Sequence, residues 1–205
     1  MKERPINLKA WEVRAILDGR KTQTRRVVKP QPESGLSWRG VISCSTVRAD
    51  EGKHLFTDRY PRARQAQRIR CPYGQPGDRL WVKESHYMPL LAHDGGAGAV
   101  EYRADYCDDL AKGMGWHPSI HMPRRASRIT LEVVSVRVER LNEISEEDAI
   151  AEGIARFDGA WASYDKIMWR YTAPENSFRS LWQSINGLGS WEANPWVWVV
   201  EFRRA

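Results

Sequence analysis

The stretch from Trp196 to Phe202 reads Trp-Val-Trp-Val-Val-Glu-Phe and is almost uninterruptedly apolar. A strand with one wet face alternates apolar and polar side chains, so a run without alternation belongs in the middle of a sheet, covered on both sides. The rest of the chain must therefore supply neighbouring strands and two covering layers. A second strand is clear between Ile129 and Val138. Its apolar residues fall on odd positions up to Val133 and on even positions from Val134 onward, so the inward face switches midway. That pattern predicts a β-bulge in a strongly curved sheet. A turn at Pro76-Gly77-Asp78 leads into a strand over Arg79 to Glu84, and a short strand is expected at Ala99 to Arg103.

Three helices are also legible. Residues 10 to 18 place Val13, Ile16 and Leu17 on one face, with Asn7 as the expected cap and Gly19 where the helix stops. Ser145 opens a second helix, with Asp148 at the capping-box position, Ile144 and Ala149 as a weak staple, and Gly153 at its end, so that Glu152 falls in the last turn. The third, roughly 175 to 186, is amphipathic through Phe178, Leu181, Trp182 and Ile185 and ends at Gly187. Helix first, strands interleaved and helices before a final strand predict an α+β fold with a partly closed β-barrel.

At 205 residues the chain is long enough for one well-buried domain carrying insertions. Residues 30 to 76 and 85 to 124 are expected to be such insertions, the first irregular and rich in Pro, Gly, Ser and Arg, the second Gly-rich and acidic. No apolar stretch approaches a membrane span and no hydrophobic leader is visible, which predicts a cytoplasmic protein with no membrane partner. Three cysteines at 44, 71 and 107 are an odd number without close pairing, which argues against a disulfide framework. His117 and His121, with Cys71 or Cys44, are the only candidate zinc ligands. No CxxC or HExxH spacing supports them, so neither metal nor cofactor is expected.

Charge narrows the partners. The net charge is +6, and residues 1 to 30 hold nine Lys or Arg against three acids. Such a balance favours polyanions. A second basic run comprises Arg59, Arg62, Arg64, Arg68 and Arg70, and reads as a solvated face. Of the ten tryptophans most belong to the core, while some remain available to stack on a base. Tyr73, Trp81 and Trp116 are candidates for stacking, although packing is the commoner role for aromatics on or beside strands.

The first helix runs directly into Gly19-Arg20-Lys21-Thr22-Gln23-Thr24-Arg25-Arg26. Read alone, these cations complement the dipole at a helix C-terminus. The pattern Gly19-Arg20-Lys21-Thr22-x-Thr24-x-Arg26 resembles the signature G-x-K-x-x-x-x-R of the ASCH family. Pro76-Gly77-Asp78-Arg79-Leu80 resembles that family's Gly-Asp before a barrel strand, Ile144-Ser145-Glu146 to Glu152 its helix, and Val199-Val200-Glu201-Phe202 its terminal strand. The segments 30 to 76, 85 to 124 and 155 to 173 do not match the shorter members, and the overall form is similar to longer members from bacteriophages and prophages.

The resemblance implies a PUA-like fold, associated with RNA and modified bases. Some small bacterial members are amidohydrolases that remove the acetyl group of N4-acetylcytidine with a Lys, a Thr and a Glu, which match Lys21, Thr24 and Glu152; a following Arg matches Arg26. The implied partner is a modified nucleoside or RNA, with Arg20 and Arg26 as substrate-binding residues, and no protein partner is inferred.

The chemistry is coherent with these residue types. Acyl hydrolysis needs a nucleophile, a base and an acid for the leaving amine. Thr24 supplies the hydroxyl. Lys21 can take its proton only when neutral, a form favoured by like charge from Arg20, Arg25 and Arg26. Glu152 faces the negative end of its helix, which favours its protonated form and so a donor role. Two other functions use the same groove: a non-catalytic RNA-binding module, and a metal-independent ribonuclease. Thr24 discriminates, because acyl transfer needs it whereas phosphate binding tolerates Ser, Gly or Ala there.

Overall fold

The computed structural model describes residues 1–43, 48–58, 64–88, 99–165 and 168–205. The first half of the chain forms β1 (Glu3–Asn7), α1 (Ala10–Leu17), β2 (Gln23–Val27), β3 (Ser37–Val41), β4 (His54–Thr57), β5 (Ala66–Ile69), β6 (Arg79–Lys83), β7 (His86–Tyr87) and β8 (Glu101–Tyr102). The second half forms β9 (Thr130–Arg140), α2 (Glu146–Ala151), β10 (Arg156–Phe157), β11 (Ala160–Ala162), β12 (Arg170–Tyr171), α3 (Pro174–Asn186) and β13 (Trp196–Arg204). The fold is α+β. Its main sheet has the order β1-β6-β9-β13-β2. Among the described residues the pairing ends at β1 and β2 and does not close into a barrel.

The apolar run of β13 is explained by its place between β9 and β2. Successive side chains point to opposite faces. Trp198, Val200 and Phe202 join one core with Ile6, Val13, Phe56, Leu80 and Leu131. Val197 and Val199 join a second core with Leu141, Phe178, Leu181 and Trp182. Each fully buried Val or Phe contributes about 1.5–3 kcal/mol, so polar residues at alternate positions would forfeit one of the two cores.

The parity switch in β9 is a bulge. Val133 pairs with Phe202 and Ser135 with Glu201, leaving Val134 without an opposite residue. Val134 points to solvent while Leu131, Val133 and Val138 are buried. The extra residue keeps apolar side chains facing inward on both halves of a long strand.

Several expectations need correction. Asn7 does not cap α1: it ends β1, paired with Lys83. Lys9 is the N-cap, and its backbone N–H donates to the Glu12 carboxylate at 2.8 Å. Residues 30 to 76 are not irregular throughout, since β3, β4 and β5 form an antiparallel sheet that drives Phe56 into the first core. Strands of four or five residues with mixed side chains leave little periodic signal. β1 was also unanticipated; it carries Pro5 and one buried apolar residue, Ile6, and pairs in parallel with β6 at the sheet edge, where proline is tolerated.

The remaining segments also carry small sheets, β7-β8 within 85 to 124 and β10-β11-β12 within 155 to 173. In the second basic run, Arg59 and Arg62 lie outside the described residues. Arg68 pairs with Asp50, and Arg70 donates to the carbonyls of Ala49 and Glu51. Among the described residues no helix is long and apolar enough to cross a membrane.

Candidate active site

The site is assembled by two helix ends. At the end of α1, Gly19 adopts φ +74°. The N–H groups of Gly19 and Arg20 return to the carbonyls of Ile16 and Ala15, a Schellman closure that turns the chain sharply back. At the end of α2, Glu152 is the C-cap and Gly153 takes φ +83°. The two ends then meet: Lys21 and Glu152 form an antiparallel backbone bridge, and the Thr22 N–H donates to Ala151 O at 2.9 Å. Gly153 permits this approach. A Cβ there would stand 2.7 Å from Lys21 Cβ and 3.0 Å from Ala15 Cβ.

Backbone pairing brings the side chains into register. Lys21 Nζ donates to Glu152 Oε2 and to the Glu152 carbonyl, both at 2.9 Å. A second carboxylate oxygen, Glu12 Oε1, lies 3.9 Å away. Both partners are buried, with side-chain exposures of 1% for Lys21 and 5% for Glu152. The cation thus neutralises a buried carboxylate and satisfies a terminal carbonyl of α2.

From Gln23 the signature continues as β2, the edge strand beside β13, with Thr24 opposite Val200 and Arg26 opposite Trp198. Thr24 is buried. Arg26 Nη2 donates to the Asn7 carbonyl at 3.1 Å and to Glu12 Oε1 at 3.4 Å. Lys21, Thr24, Arg26 and Glu152 all line one cavity of about 470 Å³, a volume that includes its open mouth. Its apolar wall is built by Trp11, Phe178, Leu181 and Trp182, while Glu12 and Arg25 complete the polar side. Its lining, apolar and aromatic with a few charged groups, is of the kind that holds a small organic ligand.

Arg20 is placed differently. It is half-exposed, does not line the cavity, and donates to Gly153 O at 3.0 Å and Asp18 Oδ2 at 2.9 Å. Its role in this arrangement is to tie the end of α1 to the end of α2.

Behind the cavity lies an ionic network. The buried Arg25 guanidinium contacts Asp148 Oδ2 at 2.6 Å, Glu139 Oε2 at 3.0 Å and Glu152 Oε1 at 3.4 Å. Arg137 pairs with the same Asp148 carboxylate at 2.6 Å, and also with Glu139 and Glu201. Burial works against ionisation of Asp148, but hydrogen bonds from Arg25 and Arg137 outweigh it and hold its carboxyl below its ordinary range. Asp148 also keeps its expected place in α2, where its N–H donates to Ser145 Oγ at 3.2 Å.

Chemically, a Lys and a Glu in direct contact can exchange a proton without separating charge, and Thr24 lines the same cavity. Among the described residues no group of three His, Cys, Asp or Glu is arranged to hold a metal ion, and Cys44 lies outside them.

Sequence reasoning missed Glu12, Arg25 and the aromatic wall. Glu12 stands three residues after the N-cap, but the cap is a lysine, so the capping-box pattern was silent. The spacing of Phe178 and Trp182 marks only the apolar face of α3. No protein-family model matches the chain, and neither a curated protein nor a solved structure does.

Proposed function

We propose that this chain is an ASCH-type protein with a PUA-like architecture that hydrolyses the N4-acyl amide of a modified cytidine. The observation that carries this reading is the convergence of Lys21, Thr24 and Glu152 on one cavity, from positions separated by 131 residues between the lysine and the glutamate. The substrate class comes from the resemblance of the Gly19-to-Arg26 segment and of the helix bearing Glu152.

Transfer from Lys21 to Glu152 across their 2.9 Å contact gives a neutral amine and a neutral acid. Lys21 accepts the Thr24 proton while Oγ1 attacks the acyl carbon. Glu152 protonates the leaving N4 as the C–N bond breaks, leaving an acyl ester on Thr24. Water attacks the ester and gives a proton to Glu152, and Lys21 returns its proton to the Thr24 oxygen as the carboxylic acid leaves. The cavity's aromatic side offers a surface for the pyrimidine, and Arg26 assists binding.

Incubation with N4-acetylcytidine should release cytidine and acetate in equal amounts. Thr24→Val, close in shape, should lower kcat by about 100-fold or more with an unchanged circular dichroism spectrum. Absence of release, or turnover unaffected in both Thr24→Val and Lys21→Ala, would overturn the reading. Salt-dependent RNA binding without chemistry would instead favour the binding module, and shortened RNA the ribonuclease.

A further inference from the structure

A second cavity, of about 640 Å³ with its mouth, adjoins the first and shares Arg26, Val27 and Asn186 with it. Its remaining walls include Lys29, Tyr73 and Trp198. The two chambers differ in charge. The first sets Glu12 and Glu152 against Lys21, Arg25 and Arg26. The second has Arg26 and Lys29 and no acidic residue in its lining. Lys29 is exposed, and among the described residues no carboxylate pairs with it. Tyr73 is half-buried against the first core, and the positive charge of Arg26 acts on its phenol in opposition to the effect of burial.

The spacing along β2 matters as well. A strand advances about 7 Å over two residues. Thr24 and Arg26 are thus separated along β2 on the scale of a nucleoside, and Lys29 follows two residues after the strand ends. Arg26 also touches Glu12 Oε1 at 3.4 Å from the first cavity, so the surplus positive charge of the second chamber comes with Lys29, and a phosphate ester is the anion that a nucleotide carries.

From these observations we infer that the second chamber binds a phosphate of the substrate through Arg26 and Lys29, so that the protein acts on a nucleotide rather than on a free nucleoside. The inference rests on the reading of the first cavity as a nucleoside site, but binding tests it without turnover. The phosphate can be terminal or internucleotide, and both present the same chemistry to Arg26 and Lys29.

The experiment titrates the full-length protein with cytidine, cytidine 5′-monophosphate, cytidine 3′-monophosphate and a cytidine-containing dinucleotide, none of which carries a hydrolysable acyl group. A phosphorylated ligand should bind about tenfold or more tightly than cytidine at low salt, with the advantage shrinking as salt rises. Preference for a monophosphate marks a terminal phosphate, and preference for the dinucleotide an internucleotide one. In Lys29→Glu the ratio should fall toward one. In Lys112→Ala, which removes an exposed lysine paired with Asp109, it should persist. Equal affinities for cytidine and every phosphorylated ligand, or a ratio intact in Lys29→Glu, would overturn the inference. Turnover of N4-acetylcytidine without any phosphate preference sinks this inference and leaves the proposed function standing; phosphate-dependent binding without hydrolysis of N4-acetylated nucleotides does the reverse.

Discussion

A methyl group at Gly153 would stand 2.7 Å from Lys21 Cβ, on a backbone already at φ +83°. Gly19 also has a positive φ, +74°, but open space around it. Gly153→Ala should therefore cost more stability than Gly19→Ala, which bears only the left-handed penalty of about 1–2 kcal/mol. Denaturant titration of the two variants gives the order, and equal costs would show that close approach is not what Gly153 provides. The Lys21–Glu152 pair should behave as a buried pair. Lys21→Met alone should cost about 3–5 kcal/mol, with part recovered in the Lys21→Met/Glu152→Met double variant; simple additivity would contradict their coupling. Lys21, Thr24 and Glu152 were singled out by the resemblance, and the glycines that end both helices place Lys21 and Glu152 at the two helix ends. Glu12 and Arg25 were not. Their importance arises only once folding sets Glu12 beside Lys21 and Arg26 and places Arg25 between Glu139, Asp148 and Glu152.

Among the elements, β9 and α2 were readable from local pattern. The bulge in β9 makes Val134 the expendable residue of the strand. Val134→Thr, at an exposed and unpaired position, should change stability by no more than about 0.5 kcal/mol. Deleting Val134 should leave unfolding cooperative, because it restores strict alternation with Leu131, Val133, Val136 and Val138 on one face and keeps the pairing with β13 in step. Loss of the cooperative transition in the deletion variant would refute the register. In α2, Ser145→Ala removes the cap to Asp148 and should cost about 1 kcal/mol. By contrast β1 and the β3-β4-β5 sheet escaped notice. Glu-Arg-Pro-Ile-Asn and Ala-Gln-Arg-Ile become strands through their partners rather than their own periodicity.

For the molecule as a whole, acid should be destabilising in a defined window. His54 is packed edge-on to Trp198, ring centroids 4.6 Å apart, and burial pushes its imidazole down from 6.5 to about 4. The unfolded chain takes up that proton first, so stability present above pH 6.5 is lost as pH falls toward 4, by about 3 kcal/mol. Asp148, held low by Arg25 and Arg137, adds a loss of the same sign as pH drops through its carboxylate range. Glu84 opposes them: burial raises its carboxyl despite Arg128, so its contribution improves on acidification. Melting curves between pH 4 and pH 7 should show a fall in Tm that is shallower in His54→Phe. An unchanged slope would remove His54 from the account.

β13 carries residues of both cores and pairs with β9 and β2, yet it is the last of these elements along the chain. During synthesis, therefore, β2 and β9 emerge with an empty lane between them, and neither apolar layer can close. Nascent chains ending before Trp196 should remain protease-sensitive and captured by chaperones, while extension through Arg204 confers resistance in a single step. The pocket edge that bears Thr24 and Arg26 is thus a late product of translation, completed only when its neighbour arrives.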